Sequence, residues 1–330
     1  MIALMNDNDA DAAGLTIGAI RAAHDRIRDK IHRTPLLTSE VLNEKSQLQI
    51  YFKCENLQKV GAFKARGATN AVFQLRPEEA ARGVVTHSSG NHAAALARAA
   101  QLRGIPSYIV MPNNAPAAKQ AAVRRYGGQI ELCEPTLAAR ESSAREVMQR
   151  TGAAFIHPYD DLRVMAGQGT SAIEILQDVP DLDAILCPVG GGGNLSGVAV
   201  AAKDISSSIR VIGVEPKGAD DAARSFRARR IEPLGHPQTI ADGLRTSLGE
   251  KPFREILRHV DDIITVSEAS IVEAMRTIWE VLKVIVEPSG AVAYAAILEE
   301  AGKIAAPNAR VAVLLTGGNL DLDRLPWQSS

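Results

Sequence analysis

Apolar runs rich in β-branched residues alternate with alanine-rich stretches along most of the chain. "GVVTHSSG" precedes "NHAAALARAAQLRG", and "DAILCPVG" precedes "NLSGVAVAAKDI". Because this alternation sets each strand beside a covering helix, it predicts an α/β fold with parallel sheets. One series runs from about Gly83 to His157 and another from about Leu182 onward, and we expect the N-terminal helix and first strand to join the second. Ligands of such sheets bind beyond the carboxyl ends of the strands, which predicts a cleft between two lobes.

Composition excludes several kinds of partner. The 330 residues carry a formal net charge of −1 and a pI of about 6.7, which gives no electrostatic reason to expect nucleic acid or an anionic membrane. Cys54, Cys133 and Cys187 fit neither a disulfide framework nor a zinc site, so a cytoplasmic location is expected. No segment has the length and apolarity of a transmembrane helix, and residues 1–14 are interpreted as a frayed leader.

The segment "CPVGGGGNLSGVAVAA" is the strongest local signal. An apolar strand runs into four consecutive glycines, residues 190–193, and then into a helix. Without side chains, the backbone N–H groups there can converge on an anion at the helix N-terminus, which favours a phosphate ligand. The spacing matches neither the dinucleotide fingerprint nor a Walker loop. The alternative interpretation is a flexible loop.

Two further loops follow strands. "THSSGNHAAALA" places Ser88, Ser89 and Asn91 at the start of a helix, where they either cap it or bind a carboxylate and move a proton with His87 and His92. "LLTGGN", residues 314–319, ends a strand in a hydroxyl residue, two glycines and an amide, and by composition alone it is a turn.

Seven segments together resemble one enzyme family: "GAFKARGATNAV", "HSSGNHAAALA", "PVGGGGNLSGVA", "GVEPKGADD", "IADGLRTSLG", "EPSGAVA" and "TGGN". From Thr34 to Asn319 the chain resembles pyridoxal-phosphate enzymes of the tryptophan-synthase β-subunit fold, or fold type II, and within it the serine and threonine dehydratase and serine racemase group. The resemblance implies two α/β domains, each a mostly parallel twisted sheet covered by helices, with the active site in the cleft between them. It implies a large cofactor-binding domain at 1–78 and 158–330 and a small domain at 79–157.

The resemblance implies a set of residues for pyridoxal 5'-phosphate. Lys64 matches the lysine that forms a Schiff base with the cofactor aldehyde, and its apolar neighbours predict a lowered pKa, although a surface lysine is the alternative from local sequence alone. Thr316 matches a Ser or Thr that faces the pyridine nitrogen. The other implied contacts are Phe63 at the cofactor ring, Asn91 at its 3-oxygen, and Gly190, Gly191, Gly192, Gly193 and Asn194 at its phosphate.

Substrate contacts are implied for Ser88, Ser89, Asn91, His92 and Arg140. Ser89 matches the second acid/base of the racemase, opposite the lysine, but dehydratases of the group share this serine, so binding of the substrate carboxylate is the alternative. Arg140 matches an arginine that reaches a distal carboxylate in the racemase, and a surface ion pair on its helix is the alternative.

A divalent-cation site is implied by "GVEPKGADD". Glu215, the carbonyl of Ala219 and Asp221 match the ligands of the group, and oxygen ligands of this kind suit Mg²⁺, Mn²⁺ or Ca²⁺. Solvated acidic side chains are the alternative from the local sequence.

The implied reaction is the dehydration and deamination of a β-hydroxy amino acid of the 3-hydroxyaspartate, serine or threonine type to a 2-oxo acid and ammonia. An uncharged Thr316 favours such an elimination over deeper carbanion chemistry. The alternatives are a serine or aspartate racemase with dehydratase side activity, and a phenylserine dehydratase, since Ala93 and Ala94 stand where relatives usually carry Gly-Gln. The loop sequence disfavours a sulfhydrylase, and Lys64 disfavours a noncatalytic sensor. The resemblance also implies a homodimer.

Overall fold

The computed structural model describes residues 14–328, so all but the last residue of the predicted leader lies outside the described residues. Within this range the chain forms two sheets that are mostly or wholly parallel. The predicted α/β class is therefore confirmed. None of the helices in residues 14–328 combines the length and the apolarity needed to cross a membrane.

A six-stranded sheet has the order β1-β2-β10-β7-β8-β9. Its neighbours are parallel except β1 and β2, so both N-terminal strands lie in the sheet of the second series. Strand β10 fills the centre, where Val313 pairs with Phe52 on one side and Leu186 on the other. The strands are β1 (Leu36–Leu37), β2 (Gln49–Lys53), β7 (Ala184–Pro188), β8 (Arg210–Pro216), β9 (Asp262–Val266) and β10 (Arg310–Leu314).

A four-stranded, wholly parallel sheet has the order β5-β4-β3-β6. It is formed by β3 (Val84–His87), β4 (Ser107–Pro112), β5 (Gln129–Cys133) and β6 (Ala154–Phe155).

The helices connect and cover these strands. They are α1 (Ile17–Ile27), α2 (Glu40–Ser46), α3 (Lys64–Gln74), α4 (Pro77–Ala80), α5 (Asn91–Arg103), α6 (Ala117–Arg125), α7 (Leu137–Thr151), α8 (Leu162–Asp178), α9 (Gly193–Ile205), α10 (Asp221–Ala228), α11 (Glu250–His259), α12 (Glu268–Thr277) and α13 (Pro288–Ile304). Short 3-10 turns occupy Glu55–Leu57, Lys59–Gly61 and Asp242–Leu244, and a π-helical turn occupies Ile278–Leu282.

Strand β7 shows how the larger sheet is buried on both faces. All of its residues are buried. Ile185 and Cys187 pack into an apolar cluster with α8 and α9, whereas Ala184 and Leu186 pack into a second cluster with α13. Because side chains alternate across a strand, a continuous apolar run is what a doubly covered parallel strand requires.

Helix α3 connects the two halves of the molecule. It packs against α8, which covers the larger sheet, and against α5, which belongs to the smaller one. The backbones of α3 and α8 approach so closely at Gly67 and Gly167 that a Cβ on either glycine would overlap the facing helix. The Gln168 amide oxygen also accepts a hydrogen bond from the Gly67 N–H at 3.1 Å. The first turn of α3, where Lys64 lies, is thus held against α8.

Four buried charges hold the same turn. The guanidinium of Arg66 donates through Nε and Nη2 to both carboxylate oxygens of Glu55, at 2.7 Å each, and through Nη1 and Nη2 to those of Glu174, at 2.8 Å each. Lys53 Nζ, also wholly buried, donates to Glu174 at 2.7 Å. Burial opposes charge on Glu174, but Arg66 and Lys53 outweigh it and lower the pKa of that carboxyl. The cluster is neutral overall, so each charge depends on the others.

Replacing Arg66 with Met is expected to lower the free energy of unfolding by about 3–5 kcal/mol, because Glu55 loses its charged partner without becoming exposed, while Glu174 keeps only Lys53. Urea unfolding of the two proteins measures the change.

The matched control is Arg33→Met. Arg33 pairs with Asp178 at 2.5 Å, but both side chains are about half exposed, so its loss is expected to cost no more than about 1 kcal/mol. Equal, small effects of the two substitutions would show that the buried cluster does not stabilise the fold.

Candidate active site

Lys64 begins α3, and its side chain is partly buried. Nζ donates to the carbonyl oxygen of Pro158 at 2.8 Å, and lies 5.1 Å from the ring centre of Phe63 and 6.0 Å from that of Tyr159. Burial lowers the pKa of Lys64 to about 8, as its apolar neighbours predicted. About one amine in ten is therefore neutral at pH 7, and that form can attack a carbonyl or remove a proton.

The glycine run forms a packed turn between β7 and α9, in contrast to the flexible-loop alternative. Gly192 has φ +87°, which glycine adopts without strain, and a Cβ on Gly191 would overlap the ring of Tyr159. Gly192 is also the N-cap of α9, and no side chain caps this helix. Its first backbone N–H groups are thus available to an anion.

The Asn194 side chain is turned away from this helix end. Its Nδ2 donates to Cys187 Sγ at 3.3 Å, so the amide is engaged with the end of β7. The predicted phosphate contact at this position can come from the backbone of α9 without the side chain.

The loop between β3 and α5 also leaves a helix uncapped. Gly90 is the N-cap of α5 and no side chain accepts a cap hydrogen bond, although Ser88 Oγ accepts one from Gly90 N at 3.3 Å within the turn. The capping interpretation of Ser88, Ser89 and Asn91 is therefore wrong. Ser88 and Ser89 are partly exposed beside the free N–H groups of α5, which is an arrangement that binds carboxylates.

Asn91 is fixed by two partners that sequence reasoning did not identify. Its Nδ2 donates to Glu287 Oε1 at 2.8 Å, and its Oδ1 accepts from Asn319 Nδ2 at 2.8 Å, while Asn319 also donates to Val60 O at 2.8 Å. These two hydrogen bonds use Oδ1 and one N–H of Nδ2, and they fix the orientation of the Asn91 amide. The second N–H of Nδ2 can donate to another acceptor, such as the 3-oxygen predicted for this contact.

Glu287 is deeply buried behind Asn91. Burial raises its pKa to about 8, and nearby Asp242 adds to the rise, while the Asn91 hydrogen bond and Lys119 oppose it. A Cβ on Gly317 would overlap its carboxylate, so the glycine of "TGGN" makes room for this side chain. The carboxyl is hence mainly protonated at neutral pH.

Thr316 lies at the end of β10 against the residue before Lys64. Its carbonyl accepts from Phe63 N at 3.0 Å, and its Oγ1 donates to Ser289 O at 3.3 Å. The backbone bridge between Ala62 and Gly317 extends this contact. The structure thus places residues 314–319 against the start of α3, whereas their composition alone predicted a simple turn.

Three histidines surround the other side of the site and are kept neutral by burial. His157 Nδ1 accepts the N–H groups of Tyr159 at 3.3 Å and Asp160 at 2.8 Å, and burial lowers the pKa of this imidazole to about 4. Burial also lowers the pKa of His87 and, far more, that of His92. Neither ring nitrogen of His92 has a hydrogen-bond partner among the described residues.

Arg140 lies on α7, partly buried, and forms no ion pair within the described part of the chain. The surface-ion-pair alternative therefore does not hold. Its positive charge lowers the pKa values of His87 and Tyr159. A cation without an ion-pair partner is available to an anionic ligand.

The two expected carboxylate ligands lie near the end of β8, with Glu215 in the strand itself and Asp221 at the start of α10. Glu215 Oε1 and Oε2 accept the N–H groups of Ala222 and Ala223 at 3.1 and 2.9 Å, while Asp221 Oδ2 accepts that of Leu248 at 3.1 Å. Asp221 Oδ1 is buried without a partner among the described residues.

The donor chemistry fits a divalent cation. Burial raises the pKa of Glu215 to about 9, and Asp221 adds to that rise. Burial also raises the pKa of Asp221 to about 6, with Asp220 adding to the rise and Arg224 opposing it. In residues 14–328 no group of three or more His, Cys, Asp or Glu side chains could hold a metal ion, but the predicted set has two carboxylates and a carbonyl. The site is linked to the glycine loop, since Gly249, next to Leu248, donates to Gly191 O at 3.1 Å.

Comparison with known proteins identifies relatives over almost the whole chain. The family model described as pyridoxal-phosphate dependent enzyme matches residues 27–317. A serine racemase of Arabidopsis thaliana is 53% identical, and the match covers 94% of this chain and 95% of the relative. A beta-hydroxyaspartate dehydratase of Paracoccus denitrificans is 51% identical, and the match covers 93% of this chain and 96% of the relative. The solved structure of maize serine racemase has a TM-score of 0.92 at 46% identity, covering 94% of this chain and 95% of that one.

Glu287→Gln is expected to change the pH dependence of stability. The unfolded carboxyl loses its proton near pH 4.5 and the folded one near pH 8, so the folded wild type loses stability as the pH rises between these values. Glutamine removes this loss, and the melting temperature of the variant minus that of the wild type should increase from pH 5 to pH 8.

Glu79→Gln is the control, because Arg76 lowers the pKa of Glu79 and its contribution is complete above pH 5. Its difference from the wild type should stay constant from pH 5 to pH 8. A constant difference for Glu287→Gln as well would contradict the raised pKa.

Proposed function

Because the chain belongs to the family of pyridoxal-phosphate-dependent enzymes of fold type II, we propose that it eliminates water from a β-hydroxy amino acid to give a 2-oxo acid and ammonia. The observation that carries this proposal is the Lys64 amine, which donates to Pro158 O beside the rings of Phe63 and Tyr159, together with the uncapped ends of α5 and α9. Burial lowers the pKa of this amine to about 8, so part of it can act as a base. This is an ammonia-lyase activity in the catabolism of amino acids.

The residues around Lys64 fit pyridoxal phosphate. Phe63 would contact the ring, Asn91 its 3-oxygen, and Thr316 its ring nitrogen, while the backbone of residues 190–194 would hold the phosphate. The bound cofactor supplies the electron sink that stabilises negative charge on the substrate Cα. The uncharged Thr316 hydroxyl, which donates to Ser289 O, does not hold a proton on a facing nitrogen and so favours elimination.

Lys64 Nζ takes the proton from Cα and returns it to the β-hydroxyl, which leaves Cβ as water. The resulting enamine tautomerises to an imine, and water hydrolyses the imine to the 2-oxo acid and ammonia. The N-terminus of α5, with Ser88, Ser89 and the segment at His92, would hold the α-carboxylate during these steps.

We propose 3-hydroxyaspartate as the preferred substrate. Arg140, which has no ion-pair partner in the described residues, supplies a cation for a second carboxylate. The 51% identical relative named beta-hydroxyaspartate dehydratase supports the same substrate class. Ala93 and Ala94 are buried in or beside the core of the smaller sheet, so they offer little to an aryl side chain, and phenylserine is the weaker candidate.

Racemisation is the second candidate function. Several relatives are named serine racemase, the first at 53% identity, and Ser89 is partly exposed and free of a capping role. A hydroxyl on the face opposite Lys64 would return a proton to Cα from the other side. The predicted homodimer and cytoplasmic location stay predictions.

We further propose that Glu215, the Ala219 carbonyl and Asp221 bind Mg²⁺, Mn²⁺ or Ca²⁺. The unpartnered Asp221 Oδ1 supports this assignment. A cation there would neutralise two buried acids and hold Leu248 and Gly249 against the glycine loop.

Lys64→Ala is expected to abolish formation of 2-oxo acid and covalent attachment of pyridoxal phosphate after borohydride reduction, measured by peptide mass spectrometry. Lys59→Ala, at a nearby lysine outside the site, is the control and should retain both. Serine, threonine, phenylserine and both threo enantiomers of 3-hydroxyaspartate are tested in parallel, and ammonia, 2-oxo acid and the opposite enantiomer are quantified. Normal turnover by Lys64→Ala would refute the assignment, and enantiomer formation that exceeds elimination would favour the racemase.

Exhaustive chelation of the purified protein is expected to lower its melting temperature and activity, and Mg²⁺ or Mn²⁺ should restore both, because an ion that binds only the folded state stabilises it. In Asp221→Asn the response to added ion should be weakened. A wild-type protein that contains no ion and does not respond to chelation would rule out the site.

A further inference from the structure

Tyr159 borders the candidate site, and none of the roles proposed above involves it. It follows β6 in the segment that leads to α8, and its ring rests on the glycine loop, where a Cβ on Gly191 would overlap it. Its backbone similarly fills the space beside Gly193. The absence of side chains in this loop thus accommodates Tyr159 as well as an anion.

The same ring faces the base. Lys64 Nζ lies 6.0 Å from its centre and donates to the carbonyl of the preceding residue, Pro158, at 2.8 Å. Tyr159 therefore stands between the amine and the glycine loop, and it borders any molecule that contacts both.

His157 holds the ring from the other side. The two rings are 4.6 Å apart at an angle of 89°, an edge-to-face contact. Since the imidazole Nδ1 accepts the N–H groups of Tyr159 and Asp160, His157 is itself fixed. The orientation of the phenol is preset before a ligand binds.

Tyr159 is partly buried, and its hydroxyl has no hydrogen-bond partner within residues 14–328, so it can donate to a ligand. Burial, and then the charges of Asp160 and Asp221, raise its pKa to about 12, while Arg140 opposes the rise and Glu141 adds to it. The group is hence a neutral donor throughout the physiological range, and Arg140 is the cation whose charge acts on it.

We propose that Tyr159 determines substrate specificity: its ring forms one wall of the side-chain pocket, and its hydroxyl donates to the distal carboxylate of 3-hydroxyaspartate beside Arg140. The proposal rests on the proposed function, which supplies that substrate. A neutral donor and a cation together can bind one carboxylate. Serine and threonine have no side-chain carboxylate, so this pair favours 3-hydroxyaspartate over them.

Tyr159→Phe removes the hydroxyl and keeps the ring. In the holoenzyme, kcat/KM for 3-hydroxyaspartate is expected to fall about tenfold, mainly through KM, because the contact exists in the bound ground state and persists in the transition state. The value for serine should change less than about twofold. Tyr108→Phe, on β4 and away from the site, is the control and should change neither.

Equilibrium binding provides a readout without turnover. Calorimetry of the holoenzyme with succinate and with propionate compares a dicarboxylate with a monocarboxylate, and Tyr159→Phe should weaken succinate about tenfold while leaving propionate unchanged. Equal losses on both acids, or no loss on either, would overturn the proposal. Since this arm needs no reaction, it tests Tyr159 even where no hydroxy amino acid is dehydrated, a result that would count against the proposed function alone.

Discussion

The contact between Arg66 and two buried carboxylates is the constraint on which the site depends. One guanidinium joins Glu55, after β2, to Glu174, on α8, and both bonds converge on the first turn of α3. Because a buried charge without a partner is costly, these three segments cannot separate without loss of stability. Lys64 lies two residues before Arg66 in the same helical turn, so the cluster also fixes the backbone position of Lys64.

Two helices near Lys64 have N-termini that no side chain caps. Helix α9 follows the glycine loop of the larger sheet, and α5 follows the serine loop of the smaller one. Each exposes backbone N–H groups and the positive end of a helix dipole, so each favours an anion. A ligand with a phosphate at one end and a carboxylate at the other matches this pair of helix ends.

Features of the fold that depend on a local sequence pattern could be predicted. The alternation of strands and helices predicted parallel sheets, which is confirmed, and the family resemblance agrees with the family model. The partners Glu287 and Tyr159 could not be predicted, because their contacts join segments distant in sequence. Glu287 lies 196 positions from Asn91 along the chain, and only the folded backbone shows that its carboxyl is buried there. The buried Lys53 could not be predicted either, because its partner Glu174 lies 121 positions away along the chain.

The close crossing of α3 and α8 at Gly67 and Gly167 has an evolutionary consequence. The reach of the Lys64 amine is set by how near two helical backbones come, and a single methyl group at either glycine would widen that spacing. Substitutions there would alter the chemistry without touching any ligand. Under the proposed function, substitutions of Arg140 or Tyr159 can change the substrate, while the spacing between α3 and α8 has to be kept.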